Sequence, residues 1–214
     1  MRDPARLSAY RVEHNINSNQ PEKVWQYFFK MNEWIFGLGL DYRYLSILQS
    51  EAHVSDEDLA GRDGAIIDFL LGATNFTVLV EIKRPDTALF EERKNRSGSW
   101  RLSEELIDSV SQILEQKAGW QLKSESSSGN YTTAGELITQ KTVDPKSILI
   151  VGSDSQFSGT GKQQAIKLKT FELFRRDSRN IEILTYDELY ERAKFVVGHS
   201  GHDSSQNAPD VQPT

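Results

Sequence analysis

Apolar residues first recur at helical spacing after Pro21: Val24, Trp25, Phe28 and Phe29 share one side, and the pattern runs to Trp34 before Gly37 and Gly39 end it. Pro21 suits a first helical turn, where its missing N–H costs nothing. A polar stretch follows. The pattern then becomes strand-like, with Ile66-Ile67-Asp68-Phe69-Leu70-Leu71, a Gly72-Ala73-Thr74-Asn75 turn and Phe76-Thr77-Val78-Leu79-Val80-Glu81-Ile82-Lys83. β-Branched and aromatic residues around a Gly/Asn turn predict a hairpin. Ser103 before Glu104 and Glu105 predicts a capped helix start, and the stripe Leu106, Val110, Ile113 and Leu114 continues it.

Residues 121–144 lack a clear period and read as a long insertion. Ser147 to Gly152 then reads as a buried strand, followed by an amphipathic helix with Ile166, Phe171 and Phe174 and a strand from Ile181 to Leu184. Thr185 and Glu188 have capping-box spacing for a last helix through Val197. Helices alternating with strands, one pair of them antiparallel, predict an α/β fold with a mixed central sheet flanked by helices. The expected organisation is an N-terminal extension over 1–19, one domain over 20–197 and a flexible tail over 198–214. The tail is rich in Ser, Gly, Pro and Asn and has a single Val, too little apolar surface to offset its ordering entropy.

The length, 214 residues, fits one domain. There are no cysteines, which excludes disulfides and Cys-ligated zinc or iron–sulfur chemistry. No run reaches the roughly 18 apolar residues of a membrane span, and the first residues carry no apolar core of a secretory signal. A cytoplasmic location is expected. The net charge of −6 argues against a chain that coats nucleic acid generally, while leaving room for a local basic groove.

Hairpin register decides whether chemistry is present. If Leu71 pairs with Phe76, Ile67, Phe69, Leu71, Val78, Val80 and Ile82 share an apolar face. Asp68, Leu79, Glu81 and Lys83 then share the other, with Asp68 diagonal to Glu81. Two carboxylates beside Ile66, Leu70 and Leu79 are costly unless positive charge lies between them. Lys83 supplies one charge; a hard divalent cation held by Asp68, Glu81 and the Ile82 carbonyl supplies more. Magnesium chemistry at a phosphoryl oxygen follows, with the lysine offsetting developing charge. A hairpin bearing an ordinary Glu–Lys surface pattern is the alternative, because D…ExK alone is a short motif.

Residues 66–85 (IIDFLLGATNFTVLVEIKRP) have the form of a PD-(D/E)xK nuclease core. Beyond it, NEWIFG at the end of the first aromatic helix, DFLL, VEIKRP, SVSQILEQK and ILTYDELYERAK resemble the Shedu family of bacterial anti-phage defence nucleases. The resemblance extends over roughly residues 22–197. One departure is Ile67, where nuclease cores often place a Pro before the Asp. The resemblance implies a restriction-endonuclease-like fold and Mg²⁺- or Mn²⁺-dependent cleavage of DNA, with phage DNA the expected substrate. It implies Asp68 and Glu81 as metal ligands and Lys83 as the catalytic lysine. Gln112 falls where such folds place a helical Gln near the site, and Glu33 is a candidate acid from the first helix. An exposed helical amide and a solvated helix-end charge read those two residues without chemistry. The resemblance also implies a homo-oligomer, typically a tetramer.

Counted from the lysine, residues 83–101 hold six basic side chains against three acids, a net +3. Arg84, Arg93, Lys94, Arg96 and Arg101 are therefore candidate DNA-phosphate contacts. A second basic run, Lys162 to Arg179, reads equally as a solvated helix face. Gly159-Thr160-Gly161-Lys162 is no phosphate loop, because Gln156 and Gln163 stand where Gly and Ser/Thr are required. Two rival functions remain at this point: a repair or junction-resolving nuclease on the same fold, and a catalytically silent DNA-binding or assembly module.

Overall fold

The computed structural model describes residues 4–17, 20–37, 46–54, 65–73, 75–126 and 130–200. In chain order the elements are α1 (Pro4–Glu13), α2 (Pro21–Met31), a 3-10 turn (Glu33–Gly37), β1 (Ser46–His53), β2 (Ile66–Gly72) and β3 (Phe76–Ile82). There follow β4 (Phe90–Lys94), β5 (Trp100–Leu102), α3 (Glu104–Ser126), β6 (Lys141–Ile150), a second 3-10 turn (Asp154–Phe157), α4 (Gly161–Asp177), β7 (Ile181–Leu184) and α5 (Tyr186–Ser200). The central sheet has the order β1-β2-β3-β6-β7. Its first three strands are antiparallel neighbours, and β3, β6 and β7 run parallel.

Each face of the sheet buries its own apolar set, which makes a three-layer sandwich. On one side Leu70, Leu79, Leu149 and Ile183 meet Leu106, Ile113 and Trp120 of α3 and Phe171 of α4. On the other, Leu71, Val78, Val80 and Ile150 meet Trp25 and Phe29 of α2, Ile35 and Phe36 of the 3-10 turn and Leu189 of α5. Each such side chain contributes about 1.5–3 kcal/mol by leaving water. The expected mixed α/β sheet between helical layers is what forms.

Both expected caps are present. Ser103 Oγ accepts from the Leu106 amide at 3.1 Å. Thr185 Oγ1 accepts from the Glu188 amide at 3.2 Å while Glu188 Oε2 accepts from the Thr185 amide at 3.0 Å, a reciprocal box.

Three readings of the pattern change. Residues 4–13 of the expected extension are helical, and Tyr10 packs edge-on against Phe28 of α2 at 5.8 Å between ring centres. The stretch 121–144 is not one insertion: its first six residues continue α3 and its last four begin β6. Polar Gln116 interrupts the apolar stripe of α3, and Pro145 disguises the strand start, where the pairing to β3 slips between Phe76 and Val78. Finally α5 runs to Ser200, and the rest of the expected tail, 201–214, lies outside the described residues.

Candidate active site

The hairpin forms, with a different register. Gly72 pairs with Thr77, Leu71 with Val78, Leu70 with Leu79 and Phe69 with Val80. The expected Leu71–Phe76 pairing is thus corrected by two residues. A two-residue slip preserves which side chains share a face, so hydrophobic patterning alone cannot detect it. Continued one rung, the observed register sets Asp68 across from Glu81 rather than diagonal to it.

That rung is not made. The β2–β3 ladder ends at Phe69–Val80, and the carboxylate of Asp68 takes over: its Oδ2 accepts from the Ile82 amide at 2.7 Å. The strand also turns here. Ile67 belongs to the core cluster of Leu70 and Leu79, not to that of Phe69 and Leu71 as simple alternation predicts. On the other flank, Glu51 lies between the Ser50–Phe69 and Ala52–Ile67 rungs with φ of 50°, a left-handed conformation unusual in a strand. Asp68 sits at a seam where the sheet opens, rather than on one flat face.

Glu81 and Lys83 project from the same side of β3. Lys83 Nζ donates to Glu81 Oε1 at 2.8 Å and to Gln112 Oε1 at 2.7 Å. Gln112 Nε2 donates to Glu81 Oε1 at 2.9 Å, closing a three-residue ring. One turn along α3, Gln116 Nε2 donates to Glu81 Oε2 at 3.0 Å and to the Ile66 carbonyl at 2.7 Å. Glu81 is 2% exposed, so these donors replace the water it has lost.

Asp68 is held from the opposite layer. Gln26 of α2 donates to its Oδ1, and the Tyr186 hydroxyl at the start of α5 donates to the Lys83 carbonyl at 2.7 Å. Burial and then the charge of Glu81 push the Asp68 carboxyl up to about 7; Glu22 adds to the rise, while the Ile82 amide and Lys83 oppose it. Burial, and next the charge of Asp68, also hold the Tyr186 hydroxyl well above its ordinary range. Among the described residues, the Lys83 ammonium is the cation that faces these acids, and it does not neutralise them all.

Among the described residues, no group of three or more His, Asp or Glu side chains is arranged around a common metal position. The donors shown to lie together are the carboxylates of Asp68 and Glu81. Carboxylate oxygens are of the kind a hard divalent cation prefers, and two of them close together fit such a charge.

Of the sequence candidates, Asp68, Glu81, Lys83 and Gln112 come together. Glu33 does not. It opens the 3-10 turn beyond α2, is exposed, and its Oε2 accepts from the Ile47 amide at 3.0 Å. Ile47 pairs with Leu71, three residues from Asp68 along β2 and so about 10 Å away at strand rise. Helix α2 instead turns Glu22 and Gln26, one turn apart, toward Asp68. These two, Gln116 and Tyr186 were missed; the i, i+4 spacing of Gln112 and Gln116 was the one visible signal.

The basic stretch after Lys83 forms a β4–β5 ribbon. Arg93, Lys94, Arg96 and Arg101 are exposed on it, whereas Arg84, also exposed, is bonded to Asp86. The ribbon lies against α4: the Trp100 amide donates to Thr170 Oγ1 at 3.2 Å, and Lys94 and Lys167 stand 5.2 and 4.9 Å from the Trp100 ring centre. The two basic runs of the sequence therefore adjoin.

Among the described residues, no helix is long and apolar enough to cross a membrane. A family model described as "Shedu protein SduA, C-terminal" matches residues 19–190. Shedu protein SduA of Bacillus cereus (strain B4264) is 29% identical over 188 residues, which cover 86% of this chain and 48% of that protein. The chain thus spans about half the length of this curated relative.

Proposed function

The chain belongs to the SduA C-terminal family, and from that premise we propose that it is a metal-dependent DNA endonuclease with a PD-(D/E)xK core. The observation that carries this reading is the ring of Glu81, Lys83 and Gln112 closed beside a carboxylate, Asp68, that already feels the Glu81 charge. In this reading Asp68, Glu81 and the Ile82 carbonyl hold Mg²⁺ or Mn²⁺. When bound, the ion supplies Lewis acidity and charge neutralisation at a phosphodiester.

The chain's own groups do the rest. Lys83 keeps an ammonium beside the scissile phosphate, where developing negative charge is best met by a fixed donor. Gln112 aims that ammonium, and Gln26 and the Ile82 amide fix the Asp68 carboxylate. Arg93, Lys94, Arg96 and Arg101 on the ribbon, with Lys167 behind them, hold the DNA backbone electrostatically, so binding weakens steeply with salt. Arg84, already paired, contributes less. Defence of a bacterial cell against phage, action in the cytoplasm and assembly into a homo-oligomer belong to the same reading.

Supercoiled plasmid tests it. The wild-type chain nicks or cuts with Mg²⁺ and not with EDTA, and Asp68→Ala and Lys83→Ala lower the rate at least about 100-fold. Intact plasmid with wild type, or cleavage by either variant as fast as by wild type, overturns the proposal.

A further inference from the structure

Gln116 is 2% exposed in the middle of α3, and its side-chain amide lies buried beside Glu81. Its Nε2 serves two acceptors on two strands that have stopped pairing: Glu81 Oε2 on β3 and the Ile66 carbonyl on β2. The backbone ladder ends at Phe69–Val80, so this amide ties the strands together past the last rung. Reversing it would set its carbonyl against two other acceptors, which fixes its orientation. Its Oε1 is buried and finds no hydrogen-bond partner among the described residues. A buried acceptor left open beside a carboxylate suits a water that donates to it.

We infer that Gln116 is a positioning residue for the metal site: it sets the opening between β2 and β3 and fixes which oxygen of Glu81 is free to bind a cation. Glu81 Oε1 is already engaged by Lys83 and Gln112, so Oε2 is the less encumbered oxygen, and Gln116 takes one side of it. A single side chain thereby couples the Glu81 rotamer to the position of β2, the strand that carries Asp68. Residues supporting metal ligands in this way typically govern metal affinity tenfold to a hundredfold. The inference rests on the metal-dependent reading above.

The test compares Mn²⁺ binding to the DNA-free chain, by electron paramagnetic resonance, for wild type, Gln116→Met and Gln116→Asn. Methionine keeps the volume and loses the donor; asparagine keeps the amide and draws it back by one methylene. Gln116→Met is expected to bind Mn²⁺ about tenfold or more weakly, with Gln116→Asn between it and wild type. In cleavage, kcat falls while the half-saturating DNA concentration stays put. Unchanged circular dichroism and unchanged DNA binding in EDTA identify folded variants, and if Gln116→Met does not fold, Gln116→Asn alone is compared with wild type. Wild-type Mn²⁺ affinity in the folded variant overturns the role of Gln116 and leaves the metal reading intact. No Mn²⁺ binding by the wild-type chain overturns both.

Discussion

Glu81 and Asp68 face each other across neighbouring strands but are held by opposite layers of the sandwich. Glu81 is gripped by α3, through Gln112 and Gln116, and by Lys83 from its own strand. Asp68 is gripped by α2, through Gln26, and by a backbone amide of β3. Among the described residues, Glu81 has an ammonium in direct contact and Asp68 does not. The electrostatic cost of assembling them therefore falls on Asp68, whose carboxyl is pushed to about 7 by burial and by Glu81. Where the β2–β3 ladder ends, the two strands carry one acid each and a different helical layer holds each of them.

The sharpest way to break the asymmetry is to remove the ammonium. Lys83→Met leaves Glu81, 2% exposed, with only neutral amides as donors. Breaking a buried ion pair from one side costs about 3–5 kcal/mol; the remaining amides and the partial exposure of Lys83 reduce this to about 2–3 kcal/mol. Urea denaturation in EDTA measures it. A loss below about 0.5 kcal/mol would show that Lys83 does not stabilise Glu81.

The second prediction acts on the other acid. Asp68 has a folded pKa raised above its unfolded value, so between about 4 and about 7 the folded chain holds a proton that the unfolded chain has released. Stability is therefore highest below about 4 as far as this group is concerned, and declines as pH rises toward 7. Asp68→Asn keeps an acceptor for the Ile82 amide and removes the charge. In EDTA at pH 8 it should be about 2 kcal/mol more stable than wild type, with a flatter pH profile. In the wild-type chain Mg²⁺ should cancel the decline. Identical pH profiles for the two chains would mean the Asp68 carboxyl ionises as easily folded as unfolded.

The contrast also explains what the sequence could disclose. Alternation in 66–83 was enough to put Glu81 and Lys83 on one side, and the Ser103 and Thr185 caps were legible because each rests on residues at most three positions apart. The register was not, since patterning is blind to a slip of two. Ile67 changed layers because β2 turns where it leaves β3, a tertiary event with no local signature. Gln116 looked like a break in an apolar stripe. Its partners, Glu81 and the Ile66 carbonyl, lie 35 and 50 residues away, so its meaning appears only once the strands part.

Helix α2 supplies the smallest test, because the acid expected from its end and the acid that reaches the site are different ones. Glu33 caps the start of β1 at the end of the β2 ladder away from Asp68, whereas Glu22 adds to the charge Asp68 feels. Glu33→Ala removes one acceptor from an exposed amide, which water replaces, so stability should fall by no more than about 0.5–1 kcal/mol. Cleavage should stay within about twofold of wild type, as it would for a surface side chain outside the seam. Glu22→Gln, equally conservative in shape, should instead make Asp68 easier to ionise. That change is readable as a shift toward lower pH in the Asp68 carboxyl resonance of the metal-free chain. If Glu33→Ala abolished cleavage and Glu22→Gln left the Asp68 titration in place, the acid reaching the site would come from beyond α2 and not from its first turn.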